Sequence, residues 1–145
     1  LFGPNDNYDS ENSHFIPALI KKILKASRSK KNKIVKLWGT GRPLREVLYV
    51  DDVAEACEYF LKKKTKSSLI NIGSSIEMSI KEYAQKIKNF IDPKVIVKFD
   101  NNKKLDGVKR KKLDLSLANR NGWKSKMNFS KVLYFTIEDY KNSQK

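Results

Sequence analysis

The stretch from Trp38 to Ala56, WGTGRPLREVLYVDDVAEA, constrains the fold more than any other part of this chain. Gly39, Gly41 and Pro43 specify a tight reversal, because Gly tolerates the positive φ that such turns need. Arg42 and Arg45 then fall on or just after that reversal, where a guanidinium can fork onto a phosphate or carboxylate, and Trp38 supplies a flat ring close by. Glu46 to Val50 is apolar at Val47, Leu48 and Val50 and reads as a buried strand, with Asp51 or Asp52 capping a helix from Asp51 to Lys64. The unit carries charge to the end of a strand. The same residues also suit a plain hairpin, with Trp38 in the core and the arginines merely solvated.

The rest of the chain alternates in kind. Leu1 to Pro4 reads as a strand end, followed by a polar loop. A helix from His14 to Ser29 is expected from Phe15, Ile16, Leu19, Ile20, Ile23 and Leu24 at helical spacing, with Pro17 tolerated in its first turn. Ile34 to Trp38 reads as a strand, Leu69 to Ile72 as a buried strand ending at Gly73, and Ser79 to Ile91 as a helix opened by a capping box of Ser79 and Glu82. Val95 to Phe99 is another strand. Asp100 to Lys112 reads as irregular, with mobility expected in the charge-rich loop from Asn101 to Lys112, followed by a short helix at Ser116 to Asn121 and a last helix at Ser130 to Lys141. Strands alternating with helices make this an α/β chain.

Composition narrows the chemistry. The chain's 145 residues suffice for one domain with a core, and no run of about 18 apolar residues occurs, so a cytoplasmic protein without membrane attachment is the default. One cysteine, Cys57, excludes an intrachain disulfide and a cysteine zinc site, and no metal site is expected. Cys57 aligns with Val53, Phe60 and Leu61 and reads as a core residue. The formal charge of +15 raises nucleic-acid binding as a function. The cations are mostly lysines dispersed over outward positions, however, as on a solvated surface, and nucleic acid is not the expected partner. Because residue 1 is Leu and LFGP resembles a strand already in progress, the sequence reads as a fragment.

In order along the chain, GPNDNYDSENSHFIPALIKK, VKLWGTGRPLREVLYVDDVAEA, INIGSS, SIKEYAQKI, VKFDNNKKLDGVKRKKLD and NGW resemble the C-terminal half of the GDP-L-fucose synthases. These are extended short-chain dehydrogenases/reductases. NSHFIPAL and WGTGRPLRE are the specific pieces, whereas YVDDVAEA and NIGSS recur across nucleotide-sugar epimerases and dehydratases. The resemblance implies that residues 1–145 are the GDP-sugar-binding C-terminal portion of an extended Rossmann-type NAD(P)-binding fold. It also implies NADPH-dependent 3,5-epimerisation and 4-reduction of GDP-4-keto-6-deoxy-D-mannose, in an enzyme that is a homodimer at full length.

By the resemblance, His14 is half of an acid/base pair completed by a Cys further upstream, and it also contacts the cofactor. The role suits proton exchange beside a ketone, which needs groups on two faces, one titrating near neutrality. Lys22, Trp38, Arg45 and Asp106 correspond to residues contacting the nucleotide: Trp38 against the ring system, Arg45 on the diphosphate and Asp106 accepting from the nucleoside. Arg110 and Lys111 are weaker phosphate candidates. Leu105 stands where the family commonly has Pro, and Asp106 also suits a plain turn before Gly107; His14 and Lys22 equally suit a loop-bonding residue and a surface lysine. NADP(H) would be bound mainly upstream of Leu1, where the family has its Gly-rich loop, its Ser and its Tyr-x-x-x-Lys pair. Such a partial sheet would expose an edge and leave the isolated chain marginally stable. The alternatives are a related nucleotide-sugar epimerase or dehydratase, and a non-catalytic protein that binds nucleotides or polyanions.

Overall fold

The computed structural model describes residues 1–30 and 32–144, so Lys31, one of the dispersed lysines, lies outside the described residues. The described elements are α1 (Phe15–Ser27), β1 (Ile34–Leu37), β2 (Leu44–Glu46), α2 (Val50–Lys62), β3 (Glu77–Ser79), α3 (Ile80–Ile91), β4 (Ile96–Phe99), β5 (Arg110–Lys111), α4 (Ser116–Arg120) and α5 (Phe129–Ser143), with a 3-10 turn at Lys103–Leu105. β1 and β4 pair in parallel, while β2 lies between β3, antiparallel to it, and β5, parallel to it. The chain is α/β, as the alternating pattern requires.

Helix α1 forms because Ile16, Leu19, Ile20, Ile23 and Leu24 recur on one face, and all five are buried. That face packs against α3, whose Tyr83, Ala84 and Ile87 are buried in turn. The capping box is realised: the Ser79 hydroxyl accepts from the Glu82 N–H at 3.1 Å, and Glu82 Oε2 accepts from the Ser79 N–H at 2.7 Å. Tyr83 is the hub of the core. Its ring meets Phe15 and Phe129 edge-on, each at 5.4 Å between centroids, and its hydroxyl donates to the Arg45 carbonyl at 3.0 Å. The core therefore buttresses β2 directly.

Several expectations are corrected. β2 covers Leu44–Glu46, because only there do flanking strands complete a ladder; Val47 and Leu48 are buried beyond it, and Tyr49 bridges to Phe2. Neither Asp51 nor Asp52 caps α2, which begins at Val50 with Tyr49 at the cap position. Asp52 is instead buried, where its Oδ2 accepts from the Ser125 hydroxyl and from the Lys126 and Met127 N–H groups. Residues 69–72 form no strand, since no ladder partner reaches them among the described residues, and Leu69 is exposed. β3 was not expected; its three residues are too short for a periodic signal.

Cys57 is exposed rather than in the core. Helix α2 is rotated so that Asp52 and Ala56 face inward, Ala56 against Ala118 and Trp123, and this turns Cys57 and Leu61 outward. A disulfide reagent is accordingly expected to titrate one thiol per chain under native conditions, within minutes and without denaturant; protection comparable to a core cysteine would contradict the observed orientation of α2.

Candidate functional site

The reversal after β1 is built by two glycines at positive φ, Gly39 at 78° and Gly41 at 71°. It is held from outside by the loop that follows β4. The Gly39 N–H donates to Asp100 Oδ1 at 2.9 Å, the Thr40 N–H to Asp106 Oδ1 at 2.6 Å, and the Thr40 hydroxyl to Asp106 Oδ2 at 2.7 Å. The Asn101 N–H donates back to the Gly39 carbonyl at 3.1 Å. The segment expected to be mobile is therefore anchored across its first half. Trp38 stands at the start of this braced turn with 59% of its surface exposed, so it is not a core residue.

Trp38 and Lys22 line one cleft of about 280 Å³, together with Phe15, Leu19 and Ile80. Its exposed indole and apolar walls suit a planar heterocycle, and its rim carries the Lys22 ammonium, the Glu11 carboxylate and the Ser10 and Ser13 hydroxyls as polar contacts. Lys22 has no ion-pair partner among the described residues, in contrast to Lys33, which pairs with Asp92 at 2.6 Å.

Arg45 lies beyond the turn, in a second cleft of about 290 Å³ that also holds Glu46, Gly73, Lys111 and Lys112. β2 and β5 set Arg45 and Lys111 directly beside one another. Like charges in register repel, and an anion between them removes the repulsion. Arg45 Nη1 donates to the Leu44 and Val108 carbonyls, each at 2.8 Å, which fixes the guanidinium plane while Nε and Nη2 carry no hydrogen bond among the described residues. Glu46 lies in the same cleft with its carboxylate oriented by the Ser75 and Leu113 N–H groups, so Arg45, Lys111 and Lys112 set three cations against one carboxylate. Arg110 is removed from the phosphate candidates by a bidentate pair with Glu77, at 2.8 Å through both Nε and Nη2. That pair holds the Glu77 carboxyl below its ordinary value.

His14 is exposed at the N-cap of α1, where its side chain makes no capping bond. It lines a third cleft of about 350 Å³ with Asn7, Asn12 and Asp6. Asp106 faces away from these clefts toward Thr40, and its two hydrogen bonds hold its carboxyl below the ordinary 3.8, helped by Arg42 and Lys103. A depressed folded value means that the stabilisation is complete above the ordinary value and is lost as pH falls through the lower folded one. Trp38 emission is therefore expected to stay constant from pH 8 to about 5 and to change only in stronger acid; a transition near neutrality would contradict this.

So the structure joins Lys22 with Trp38, and Arg45 with Lys111 and Lys112, and sets His14 on the helix that carries Lys22. It ties Asp106 to the turn rather than joining it to either cleft. Lys112 and the Val108 carbonyl were missed from sequence, since only the pairing of β5 with β2 brings them to Arg45. A dinucleotide cradle is not built by these residues: the Gly39–Gly41 reversal feeds a strand instead of a helix. The expectation that no Tyr-x-x-x-Lys spacing occurs within these residues is corrected by Tyr59 and Lys63, which stand at that spacing. Lys63 Nζ lies 3.3 Å from the Tyr59 hydroxyl, but that hydroxyl donates to the Asn121 carbonyl at 2.7 Å and braces α2 against α4. No helix of the described residues is long and apolar enough to cross a membrane, and none of their His, Cys, Asp and Glu side chains cluster as a metal site would require.

Residues 1–73 match the model of the NAD dependent epimerase/dehydratase family. GDP-L-fucose synthase 1 of Arabidopsis thaliana is 39% identical over 140 residues, covering 97% of this chain and 43% of the relative. The GDP-L-fucose synthase of Escherichia coli is 34% identical over 153 residues, covering 99% and 47%. A solved GDP-L-fucose synthetase from Naegleria fowleri superposes with a TM-score of 0.88 at 27% identity, covering 99% of this chain and 44% of that one; the same enzyme has also been solved bound to NADP. The chain thus spans less than half the length of these relatives. With its α/β build, its paired clefts around the Trp38 turn and this breadth of similarity, the chain belongs to the NAD dependent epimerase/dehydratase family.

Proposed function

We propose that this chain is the sugar-nucleotide-binding portion of a GDP-L-fucose synthase, a cytoplasmic, homodimeric enzyme that converts GDP-4-keto-6-deoxy-D-mannose to GDP-L-fucose with NADP(H). The observation that carries the reading is the pairing in one cleft of an exposed Trp38 with Lys22, which has no ion-pair partner among the described residues, one braced turn away from Arg45, held through Nη1. The purine stacks on Trp38. The diphosphate lies on Arg45 and Lys111, where paired donors suit two phosphate oxygens.

His14, at the N-cap of α1, precedes Lys22 by eight residues, about 12 Å along the helix axis at 1.5 Å per residue. That separation suits a nucleotide-sugar laid along α1, with its nucleoside end by Lys22 and its sugar by His14. A carbon beside the C4 ketone is acidified by the carbonyl, so an imidazole there can take a proton to leave an enolate, or return one to the enolate carbon. Inversion requires that the second proton transfer come from the other face, by a group outside the residues described. Reduction is assigned to none of these residues, because they do not form the dinucleotide cradle.

The test is titration of the intrinsic fluorescence of the 145-residue chain with GDP, in parallel with an NADPH oxidation assay on the keto-sugar nucleotide. GDP is expected to quench Trp38, and Arg45→Ala to weaken binding by about tenfold or more, as loss of a charged hydrogen bond should. NADPH oxidation is expected to be absent. Equal GDP affinity in Arg45→Ala, or turnover by this chain alone, would contradict the reading.

A further inference from the structure

We propose that Asp106, Gly107 and Val108 form a bracket that fixes the spacing between Trp38 and Arg45, and that this spacing makes the site select nucleoside diphosphates over monophosphates. The inference rests on the nucleotide-binding reading for its ligand, and it reassigns Asp106 from a nucleotide contact to a positioning residue.

The bracket touches both halves of the site within three residues. At one end, each Asp106 carboxylate oxygen already holds a Thr40 donor, at 2.6 and 2.7 Å, which anchors the turn carrying Trp38. At the other end, the Val108 carbonyl accepts from Arg45 Nη1 at 2.8 Å, and the Lys109 carbonyl from the Leu44 N–H at 2.9 Å. Gly107 joins the two ends at φ 63°.

Hydrogen bonds hold the bracket, not packing. Leu105 and Val108 are 44% and 62% exposed, and no atom lies within 4 Å of where a Gly107 Cβ would sit. A cavity of about 510 Å³ opens between the bracket and the turn, lined by Thr40, Arg42, Pro43, Lys103, Asp106 and Lys109. Removing the Asp106 carboxylate therefore frees Thr40 from the bracket, and with Gly39 still held by Asp100 and Asn101 the turn loosens at Thr40, between Trp38 and Arg45. A ligand that contacts only the Trp38 cleft tolerates that movement better than one that must reach both groups at once.

A direct contact from Asp106 to the nucleoside would behave differently. Its loss would weaken GMP and GDP by the same factor, because both carry the nucleoside. Loss of a spacer lowers the ratio of the two affinities.

The experiment measures dissociation constants for GMP and GDP in wild type, Asp106→Ala, Asp106→Asn and Thr40→Val, together with the steady-state anisotropy of Trp38 without ligand. Trp123, 3% exposed, gives a constant background that a Trp38→Phe control subtracts. The wild type is expected to prefer GDP over GMP by on the order of tenfold. In Asp106→Ala and Thr40→Val that preference is expected to fall toward one and the Trp38 anisotropy to drop. Asp106→Asn restores both, since its amide oxygen can accept from the Thr40 N–H and its nitrogen can donate to the hydroxyl. An unchanged GDP/GMP ratio with equal losses for both ligands, or an unchanged anisotropy in Asp106→Ala, would overturn the proposal while leaving GDP binding intact. If the wild type binds neither nucleotide, the binding reading fails and the selectivity claim with it; anisotropy alone then decides whether Asp106 holds Trp38.

Discussion

Asp52→Ala is expected to destabilise the chain by about 3 kcal/mol, measured as a drop in the urea midpoint at unchanged slope. Asp52 is 8% exposed and gathers three donors from the segment that leads into α5: the Ser125 hydroxyl and the N–H groups of Lys126 and Met127, both at 3.1 Å. Alanine leaves the Met127 N–H with the Ser125 hydroxyl at 3.2 Å as its one side-chain acceptor among the described residues. The Met127 bond is buried and the other two are partly buried, and a donor stranded away from water costs about 1–3 kcal/mol. Asp52→Asn keeps one acceptor oxygen and is expected to lose roughly half as much. A loss below about 1 kcal/mol for alanine would mean that solvent reaches these donors and that α2 is not tied to α5 through Asp52.

Gly41→Ala is expected to cost about 3 kcal/mol and to abolish GDP binding. Two effects combine. The residue sits at φ 71°, where a side chain adds about 1–2 kcal/mol of backbone strain, and the new Cβ would lie 2.6 Å from two Phe99 ring atoms. Phe99 ends β4, so relief by moving its ring disturbs the Asp100 anchor next to it. Gly107→Ala separates the two effects, because it has φ 63° and open space around it; only the strain of about 1–2 kcal/mol is expected there. Equal losses at the two positions would show that the Phe99 contact yields freely.

What the sequence makes legible is what repeats locally. The stripe of α1, the Ser79–Glu82 capping box and the Trp38 reversal are each written within a few neighbouring residues, and each occurs as expected. β2 starts two residues and ends four residues earlier than expected, because its boundaries depend on β3 and β5, which lie more than thirty positions away. The loop after β4 reads as mobile from its lysines and polar residues, yet Asp100 and Asp106 anchor it by bonds to Gly39 and Thr40 that no local pattern announces. Cys57 and Asp52 exchange their expected places for the same reason: an amphipathic pattern with a weak apolar face leaves the helix rotation to its long-range partners. For the candidate site, the residue types were readable, but their grouping was not. Only the pairing of β5 with β2 sets Lys111 beside Arg45, and only the geometry at Thr40 turns Asp106 into a brace.

The most direct test of GDP binding is a crystal structure of the chain grown with GDP. The guanine is expected to lie flat on the Trp38 indole, in van der Waals contact at about 3.5–4 Å, with diphosphate oxygens about 3 Å from Arg45 Nε or Nη2 and the Asp106 carboxylate still on Thr40. GDP bound on scattered surface lysines, with Trp38 uncovered and Arg45 untouched, would contradict it.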